Sequence, residues 1–291
     1  MRLVLPFPSI FYATVFVAQS RGLFAERRIE IELGFAPPGG DPVNELALGN
    51  ADLAVGGPVR LMRYPHEVAD QFCVCGQVNS ASGFYLLGRG GIARGDWEGL
   101  KGRSLLLFPA SRTPWLFTRR LLLSKGLKEE DIRQVEARSL AEAADLFRCG
   151  KADLMEAPEP IVSMCLQDGT GEIWASMPEE FGEMPFSVVV ARKDSMRNSE
   201  GETGRCLEAL AASQRWIHSA AIEAVAAELQ PRFPEIVPDV LRAACRRYRE
   251  DSVWARSLEF TETAFELLQS AILDSDEPLN RLSHERHVWK P

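Results

Sequence analysis

Four short loops hold the residues of this chain that are best suited to bind a ligand. Each loop is predicted to follow a strand and to open a helix, so it presents unpaired N–H groups at the positive end of a helix dipole. The side chains add aromatic faces, hydroxyls, two guanidinium groups and one carboxylate. This combination predicts binding of a small polar or anionic organic molecule. The candidate ligand-binding residues are Ser9, Phe11, Tyr12, Gly57, Arg60, Ser111, Arg112, Thr113, Trp115 and Glu159.

The triplet Ser111-Arg112-Thr113 is the best candidate for contact with an anion. Its hydroxyls can share the helix N–H donors with a phosphate, a sulfonate or a carboxylate, and Arg112 adds a positive charge. In an alternative interpretation, Ser111 or Thr113 only caps the helix and Arg112 lies in solvent. Ordinary turn chemistry would also explain any one of the four loops, because Gly, Pro and Ser are expected in turns.

Two other loops leave a choice of roles open. Phe11 and Tyr12 are expected to stack on a ring of the ligand, although Phe11 also suits the core. Glu159 lies between two prolines, where its carboxylate either accepts a hydrogen bond from a ligand amine or amide, or is solvated.

The sequence offers little catalytic or metal-binding chemistry. It contains no nucleophile elbow, no phosphate-binding P-loop and no HExxH motif. Cys73 and Cys75 lack the second pair of ligands that a zinc site needs, so we interpret them as small core residues. His66 is expected to be exposed, and His284 and His287 lie near the C-terminus, where side chains are usually solvated. We therefore expect no catalytic residue, no metal and no cofactor.

Composition excludes several classes of partner. The 291 residues carry a formal net charge of -8, and no basic segment dominates, which argues against a nucleic-acid partner. No apolar run reaches the roughly 20 residues that span a bilayer, so membrane insertion is not expected. The first twenty residues make a poor signal peptide, and six scattered cysteines suit a reducing compartment. We expect a cytoplasmic location for the chain as it stands, and a periplasmic one if a leader was removed.

The order of elements is typical of an α/β protein. The opening predicts strand, helix, strand, helix and strand within sixty residues, and loops at the ends of such strands are where ligands bind. Predicted strands cover residues 2–5, 28–35, 52–55, 72–78, 104–108, 133–137, 152–156 and 186–191. Predicted helices begin near Phe11 and cover 115–125, 139–149, 160–167, 202–220, 221–229, 237–249 and 258–273.

A weak internal repeat suggests two related lobes. Residues 44–53 and residues 144–154 each read as a helix that ends in glycine, a tight turn and a short strand that opens near Asp. Two lobes built on similar α/β units would explain this repetition.

The chain resembles the type II periplasmic-binding-protein fold. Within that fold it is similar to the solute-binding proteins for nitrate, sulfonates, taurine and thiamine precursors, and to the related thiamine-pyrimidine synthases. The matching segments recur in the family's order over nearly the whole chain. They are Val17–Phe24, Leu48–Leu53, Leu100–Arg103, Cys149–Leu154 with Glu159-Pro160, and Phe186–Lys193.

The resemblance implies two lobes that are joined by two crossing strands and close on a ligand by hinge motion. The crossings would fall near Leu87–Gly91 and Pro185–Ala191, with a helical C-terminal region after them. Lobe one would be residues 1–88 and 187–291, and lobe two would be residues 89–186.

The resemblance also implies a function. The leading hypothesis is a protein similar to the solute-binding proteins of ABC transporters, with a small-molecule ligand and an ABC transporter permease as partner. The alternative is an enzyme on the same scaffold, such as a thiamine-pyrimidine synthase, a decarboxylase or a desulfinase. The synthases use a histidine near the position of Arg60 and a cysteine-rich cluster near residues 182–186, and this sequence has neither. A Cys or His in the cleft would favour an enzyme, whereas aromatic rings, hydroxyls and arginine would favour binding.

Overall fold

The computed structural model describes residues 1–37, 40–196, 201–273 and 277–289. The ten strands of these residues are β1 Arg2–Leu5, β2 Glu32–Phe35, β3 Leu53–Gly56, β4 Phe72–Asn79, β5 Phe84–Gly88, β6 Ser104–Leu106, β7 Arg133–Val135, β8 Leu154–Pro158, β9 Glu172–Ser176 and β10 Ser187–Arg192. The α-helices are α1 Ala13–Ser20, α2 Pro42–Ala47, α3 Val59–Met62, α4 His66–Ala69, α5 Thr113–Ser124, α6 Leu140–Arg148, α7 Ile161–Gln167, α8 Met177–Phe181, α9 Glu202–Ser219, α10 Ile222–Leu229, α11 Pro238–Glu250, α12 Glu262–Leu273 and α13 His284–His287.

The strands form two five-stranded sheets, which confirms the predicted α/β class. The first sheet has the order β2-β1-β3-β10-β4 and the second has the order β7-β6-β8-β5-β9. In the first sheet β1 pairs in parallel with β2 and β3, and in the second β6 pairs in parallel with β7 and β8. The strands β10 and β5 are antiparallel to both of their neighbours. Each sheet therefore receives one strand from a crossing of the chain.

The chain passes between the sheets through two short segments. It leaves the first sheet at the end of β4 and enters the second at β5, so residues 80–83 make the first passage. It returns between β9 and β10, where Phe186 precedes the first residue of β10. The lobe boundaries at residues 88 and 186 stay a prediction. The pairing of Phe84–Gly88 with β8 and β9 favours a first boundary that lies before β5.

Local sequence explains where several elements begin and end. Ser139 accepts a hydrogen bond from the Glu142 N–H and so caps α6, and Asp41 caps α2 in the same way through the Val43 N–H. The strand predicted at residues 28–35 begins at Glu32, and Arg28, with a left-handed backbone at φ 56°, ends the turn before it. The strand β9 was missing from the prediction; it is an edge strand that pairs with β5.

The C-terminal helices pack against both lobes. The helix α9 lies on α1, which belongs to the first lobe, whereas α11 packs against α7 and α12 packs against α5. Since α5 and α7 flank strands of the second sheet, the C-terminal region links the two lobes at two places. None of the described helices combines the length and the apolar character that crossing a membrane requires.

Candidate functional site

A cavity lies where the ends of strands from both sheets meet. Its volume is about 40 Å³. The parallel strands β1, β3, β6 and β8 point their carboxyl ends at it, which is where ligands bind in α/β sheets. The cavity is lined by Phe7, Ser9, Phe11, Tyr12, Gly57, Arg60, Phe84, Phe108, Ser111, Thr113, Pro114, Pro158, Phe186 and Ser187. All four loops that the sequence singled out therefore contribute to one cavity.

Six of the fourteen lining residues are aromatic, and they come from both lobes. The ring of Phe7, from the first lobe, lies 5.8 Å from the ring of Phe108, from the second. Phe84 lies 4.8 Å from Phe108 and 6.3 Å from Phe186, centroid to centroid. These separations are typical of favourable aromatic pairs, so the rings hold the lobes close to each other.

The turn at Ser9–Tyr12 is fixed from behind by two buried side chains. The Trp254 indole N–H donates to the Ile10 carbonyl at 3.0 Å, and the Asn79 amide donates to the Phe11 carbonyl at 2.8 Å. The Ser9 hydroxyl accepts from the Phe11 N–H at 3.2 Å and so caps the turn. The backbone is thereby held with the Phe11 ring in the cavity wall.

Glycine is required behind the Phe11 ring. A Cβ atom built on Gly83, in the first crossing segment, would lie 2.5 Å from that ring and 3.1 Å from the Tyr248 hydroxyl oxygen. Atoms cannot approach so closely, so only glycine lets the crossing segment pass here. Phe11 is 5% exposed, and its ring belongs to the core as well as to the cavity wall.

Tyr12 brings a neutral hydroxyl to the cavity. Its side chain hydrogen-bonds Ser187, which also lines the cavity. Burial raises the pKa of the Tyr12 phenol well above its usual value, and the nearby Arg60 charge offsets only part of that rise. Tyr12 therefore serves as a hydrogen-bonding group and not as an anion at neutral pH.

Arg60 brings the positive charge. Its side chain is 11% exposed and forms an ion pair with Asp41, with Nη1 3.3 Å from Oδ2. A Cβ atom on Gly56 would lie 2.9 Å from the Arg60 Cδ, so glycine at the end of β3 leaves room for the Arg60 side chain. Burial and the Asp41 charge raise the pKa of the neighbouring Tyr64 to about 12.

The hydroxyls of Ser111 and Thr113 face the cavity from the second lobe. The Ser111 Oγ accepts from the Thr113 N–H at 3.2 Å and lies 3.2 Å from the Thr113 hydroxyl. The Ser111 hydroxyl thus bonds the N–H of the first residue of α5, and both residues also line the cavity. The Ser111 side chain therefore combines a hydrogen bond to the helix start with a place in the cavity lining.

Three of the predicted ligand-binding residues lie outside the cavity lining. Arg112 is exposed and its guanidinium points to Glu277, with Nε 3.4 Å from Oε1. Trp115 is buried, at 2% exposure, in the first turns of α5. Glu159 is buried at 1% exposure, so the alternative of a solvated carboxylate was wrong.

The carboxylate of Glu159 is used within the protein. Its Oε1 lies 2.7 Å from the Arg247 Nε, and both of its oxygens accept hydrogen bonds from Ser163. Its backbone N–H donates to the Tyr248 hydroxyl, which in turn donates to the Gly83 carbonyl. Burial raises the pKa of Glu159, while Ser163 and Arg247 oppose the rise. Glu159 thus ties the second lobe to α11 and to the first crossing segment.

A second buried carboxylate supports the loop after β6. The Phe108 N–H donates to the Glu156 Oε2 at 2.9 Å, and Thr118 also hydrogen-bonds this carboxylate, whereas Oε1 has no partner. Burial raises the pKa of Glu156 to about 7. Glu156 therefore holds the backbone that carries Phe108 into the cavity wall.

The sequence profile of the NMT1/THI5-like family matches residues 10–223 of the chain. This protein belongs to the NMT1/THI5-like family. The resemblance inferred from the sequence is thereby confirmed. Among curated proteins, YtlA of Bacillus subtilis (strain 168), a candidate binding protein, is 25% identical over 284 residues, which cover 97% of this chain and 85% of YtlA.

Solved structures share the fold of this NMT1/THI5-like protein at low identity. The periplasmic aliphatic sulphonate binding protein SsuA from Escherichia coli superposes with a TM-score of 0.78 at 17% identity, covering 100% of this chain and 92% of SsuA. A ligand-binding component of an ABC-type import system from Staphylococcus aureus gives 0.78 at 13%, covering 99% and 96%. The periplasmic nitrate-binding protein NrtA from Synechocystis PCC 6803 gives 0.64 at 16%, covering 82% and 68%. They confirm the two-lobed periplasmic-binding-protein fold.

Four of the six aromatic residues that line the cavity were not predicted from the sequence of this family member. Phe7, Phe84, Phe108 and Phe186 were not among the candidates, yet each follows or precedes a Pro or Gly at a strand end. That position was the available signal, because ligands bind at the strand ends of α/β sheets.

The histidines and cysteines of the described residues lie away from the cavity. His66 is exposed as predicted, but His287 is buried and lies 3.0 Å from Asp70, so its expected solvation was wrong. Cys73 and Cys75 are buried core residues whose sulfur atoms lie 3.9 Å apart. Within the described ranges no group of three or more His, Cys, Asp or Glu side chains is placed to hold a metal ion.

Proposed function

We propose that this protein binds one small polar organic molecule in the cavity between its lobes and captures it by hinge closure. The observation that carries the proposal is the convergence of all four candidate loops on a single cavity, which Phe84 and Phe186 also line next to the two passages between the sheets. Junctions between lobes are a preferred place for small-molecule sites. Two short passages between the sheets allow the lobes to open and close around it.

The lining defines the class of ligand. Six aromatic rings favour a planar or partly apolar molecule, and the hydroxyls of Ser9, Ser111 and Thr113 favour polar substituents on it. Arg60 is the charged side chain among the described lining residues, and Asp41 already pairs with it. An anionic group of the ligand would therefore share the guanidinium with Asp41, and a neutral group would leave this ion pair intact.

The small volume of the cavity supports the proposal that the lobes open to admit a ligand and close around it. About 40 Å³ is close to the space of one or two water molecules, which is too small for a molecule with a ring. Entry of such a ligand requires the Phe7 and Phe108 rings, which meet across the lobes, to separate. The ligand then takes the place of these ring contacts.

The lining favours binding over catalysis. Among the described residues that line the cavity, none is a Cys, His, Asp or Glu. The aromatic rings, hydroxyls and arginine that do line it match the composition that we expect of a binding protein.

The proposal extends to a macromolecular partner. Because the Staphylococcus aureus protein of the same fold is a component of an ABC-type import system, we assign an ABC-type permease as the partner of this chain. That role requires the ligand-binding protein to meet solutes outside the cytoplasm, as the periplasmic SsuA does. Cell fractionation tests this assignment, and recovery of the natural protein in the cytoplasm alone would contradict it.

Calorimetric titration tests the binding site. The panel is an alkanesulfonate, nitrate, an aromatic carboxylate and a neutral pyrimidine, and we expect one binding site per chain for at least one of them. Arg60→Gln should lower the affinity for an anionic ligand by about tenfold or more, since a charge-assisted contact is lost. The control is Arg94→Gln, at an exposed ion pair with Glu179 within the second lobe. Equal affinity in the wild type and Arg60→Gln for an anionic ligand would contradict the assignment of Arg60.

A further inference from the structure

The C-terminal segment 258–289 is bonded to the first lobe near both of its ends. The Asn280 N–H donates to the Met62 carbonyl at 2.7 Å, just at the end of α3. The Trp289 N–H donates to the Val74 carbonyl of β4 at 2.9 Å. Near the start of the segment, the Gln77 N–H donates to the Leu258 carbonyl at 2.7 Å. The described parts of this segment therefore move with the first sheet.

The middle of the segment meets the second lobe through an apolar contact. Leu268 and Ile272 of α12 are 2% and 1% exposed. They lie around a narrow gap with Phe117 of α5, from the second lobe, and with Val59 of α3, from the first. The part of the contact between α12 and α5 that these side chains form is non-polar.

An ion pair continues this contact to the rim of the cavity. Glu277 lies 2.9 Å from the Arg63 guanidinium of the first lobe, and 3.4 Å from Arg112 Nε of the second lobe. Its Oε1, which faces Arg112, accepts no hydrogen bond. The link between Arg112 and Glu277 is therefore coulombic, and it joins the lobes through a group that stays bonded to the first.

Arg112 stands between two residues of the cavity lining. Ser111 and Thr113 face the cavity, whereas the Arg112 side chain between them faces Glu277. A displacement of this loop relative to the first lobe would change the cavity lining and the ion pair together. The same three residues thus couple the ligand side of the loop to its outer side.

We propose that residues 258–273 and 277–289 form the surface onto which the second lobe closes, and that Arg112 is a positioning residue that stabilises the closed form through Glu277. This proposal rests on the hinge closure of the proposed function. It replaces the sequence-based expectation that Arg112 contacts the ligand. Glu277 contacts one arginine from each lobe. Both contacts form together only in one relative position of the lobes, so they favour that position.

Fluorescence energy transfer between the lobes tests the proposal without any ligand. Cys149 is the exposed cysteine of the second lobe, while the other five are buried, so it takes one dye. Leu48→Cys provides the second position, since Leu48 is 66% exposed in the first lobe. We expect Arg112→Gln to lower the ratio of closed to open molecules about threefold, the effect of a partly exposed ion pair. Arg112→Glu should lower it about tenfold, because it places a second carboxylate against Glu277.

Control variants show whether the change in the ratio of closed to open molecules comes from the contact between the lobes. Arg94→Gln and Arg94→Glu change an exposed ion pair that lies within the second lobe, and we expect them to leave the ratio unchanged. Glu277→Gln should match Arg112→Gln, and 1 M salt should lower the wild-type ratio to a similar extent. An unchanged ratio in Arg112→Glu, or an equal change in Arg94→Glu, would overturn the proposal. A negative ligand panel would contradict the proposed function and leave this result standing.

Discussion

Glu156 shows at the scale of one residue how a buried carboxylate supports the site. Its pKa in the folded protein is about 7, above the ordinary value of 4.5, because burial disfavours the charged form. A group whose pKa is raised on folding binds its proton more tightly in the folded state than in the unfolded state. The stability it contributes is therefore full below about pH 4.5 and is lost as the pH rises towards 7.

This shift predicts a pH dependence that Glu156→Gln should remove. Between pH 4.5 and 8 the free energy of unfolding of the wild type should fall, relative to that of Glu156→Gln, by about 3 kcal/mol. Urea unfolding at several pH values measures the difference. The control is Glu172→Gln, at an exposed position of β9. A constant difference between wild type and Glu156→Gln across this range would contradict the prediction.

Single residues also show what the sequence could and could not predict about the site. Ser9, Tyr12 and Arg60 follow strand ends, so the α/β pattern placed them near the cavity without knowledge of any distance. Arg112 follows the same pattern, yet its side chain points to Glu277, far along the chain. Side-chain direction within a loop depends on which distant charge lies beside it, and the sequence does not reveal that neighbour.

At the scale of elements, α11 joins the second lobe near the first crossing segment. Arg247 pairs with the fully buried Glu159, and the Tyr85 hydroxyl of β5 donates to Asp251, just after α11, at 2.6 Å. Tyr248 lies between them and bonds the Gly83 carbonyl. These buried polar contacts give α11 a fixed attachment, in contrast to the apolar contact of α12 with α5.

Removal of one residue from the contacts that attach α11 to the second lobe should lower the free energy of unfolding. Arg247→Ala leaves the Glu159 carboxylate buried without its cation, and we expect a loss of about 2–3 kcal/mol in the free energy of unfolding. Arg242→Ala, on the same helix, breaks an exposed pair with Asp239 and should cost less than about 0.5 kcal/mol. Chemical denaturation measures both. Addition of Glu159→Gln to Arg247→Ala should recover part of the loss, and equal costs for the two arginine variants would refute this role.

Elements with strong local signals were predicted well. The strand β1 was expected at residues 2–5 and occurs there, and α6 ends next to Gly150 as its capping pattern indicated. The strand β5 and the edge strand β9 carry weaker signals, because their pairing depends on partners that lie elsewhere in the chain. The attachment of α11 and α12 to the second lobe depends on such distant contacts too, and local periodicity does not encode them.

At the scale of the whole molecule, two similar sheets enclose one cavity. The internal repeat of residues 44–53 and 144–154 indicated two lobes, and the corresponding strands β3 and β8 occupy matching positions in the centre of each sheet. The C-terminal region adds the contacts between lobes, one near the crossing and one beside the cavity rim.

Native mass spectrometry tests the central claim, that the interlobe cavity binds a small molecule. The protein is incubated with a small-molecule extract of cells, desalted and measured intact beside two variants. Ser111→Trp fills the cavity from a partly exposed loop position, and Ser124→Trp adds the same side chain at the exposed far end of α5. We predict one bound molecule per chain in the wild type and in Ser124→Trp, and none in Ser111→Trp. A wild type without any bound molecule, or an equally occupied Ser111→Trp variant, would contradict a ligand site in this cavity.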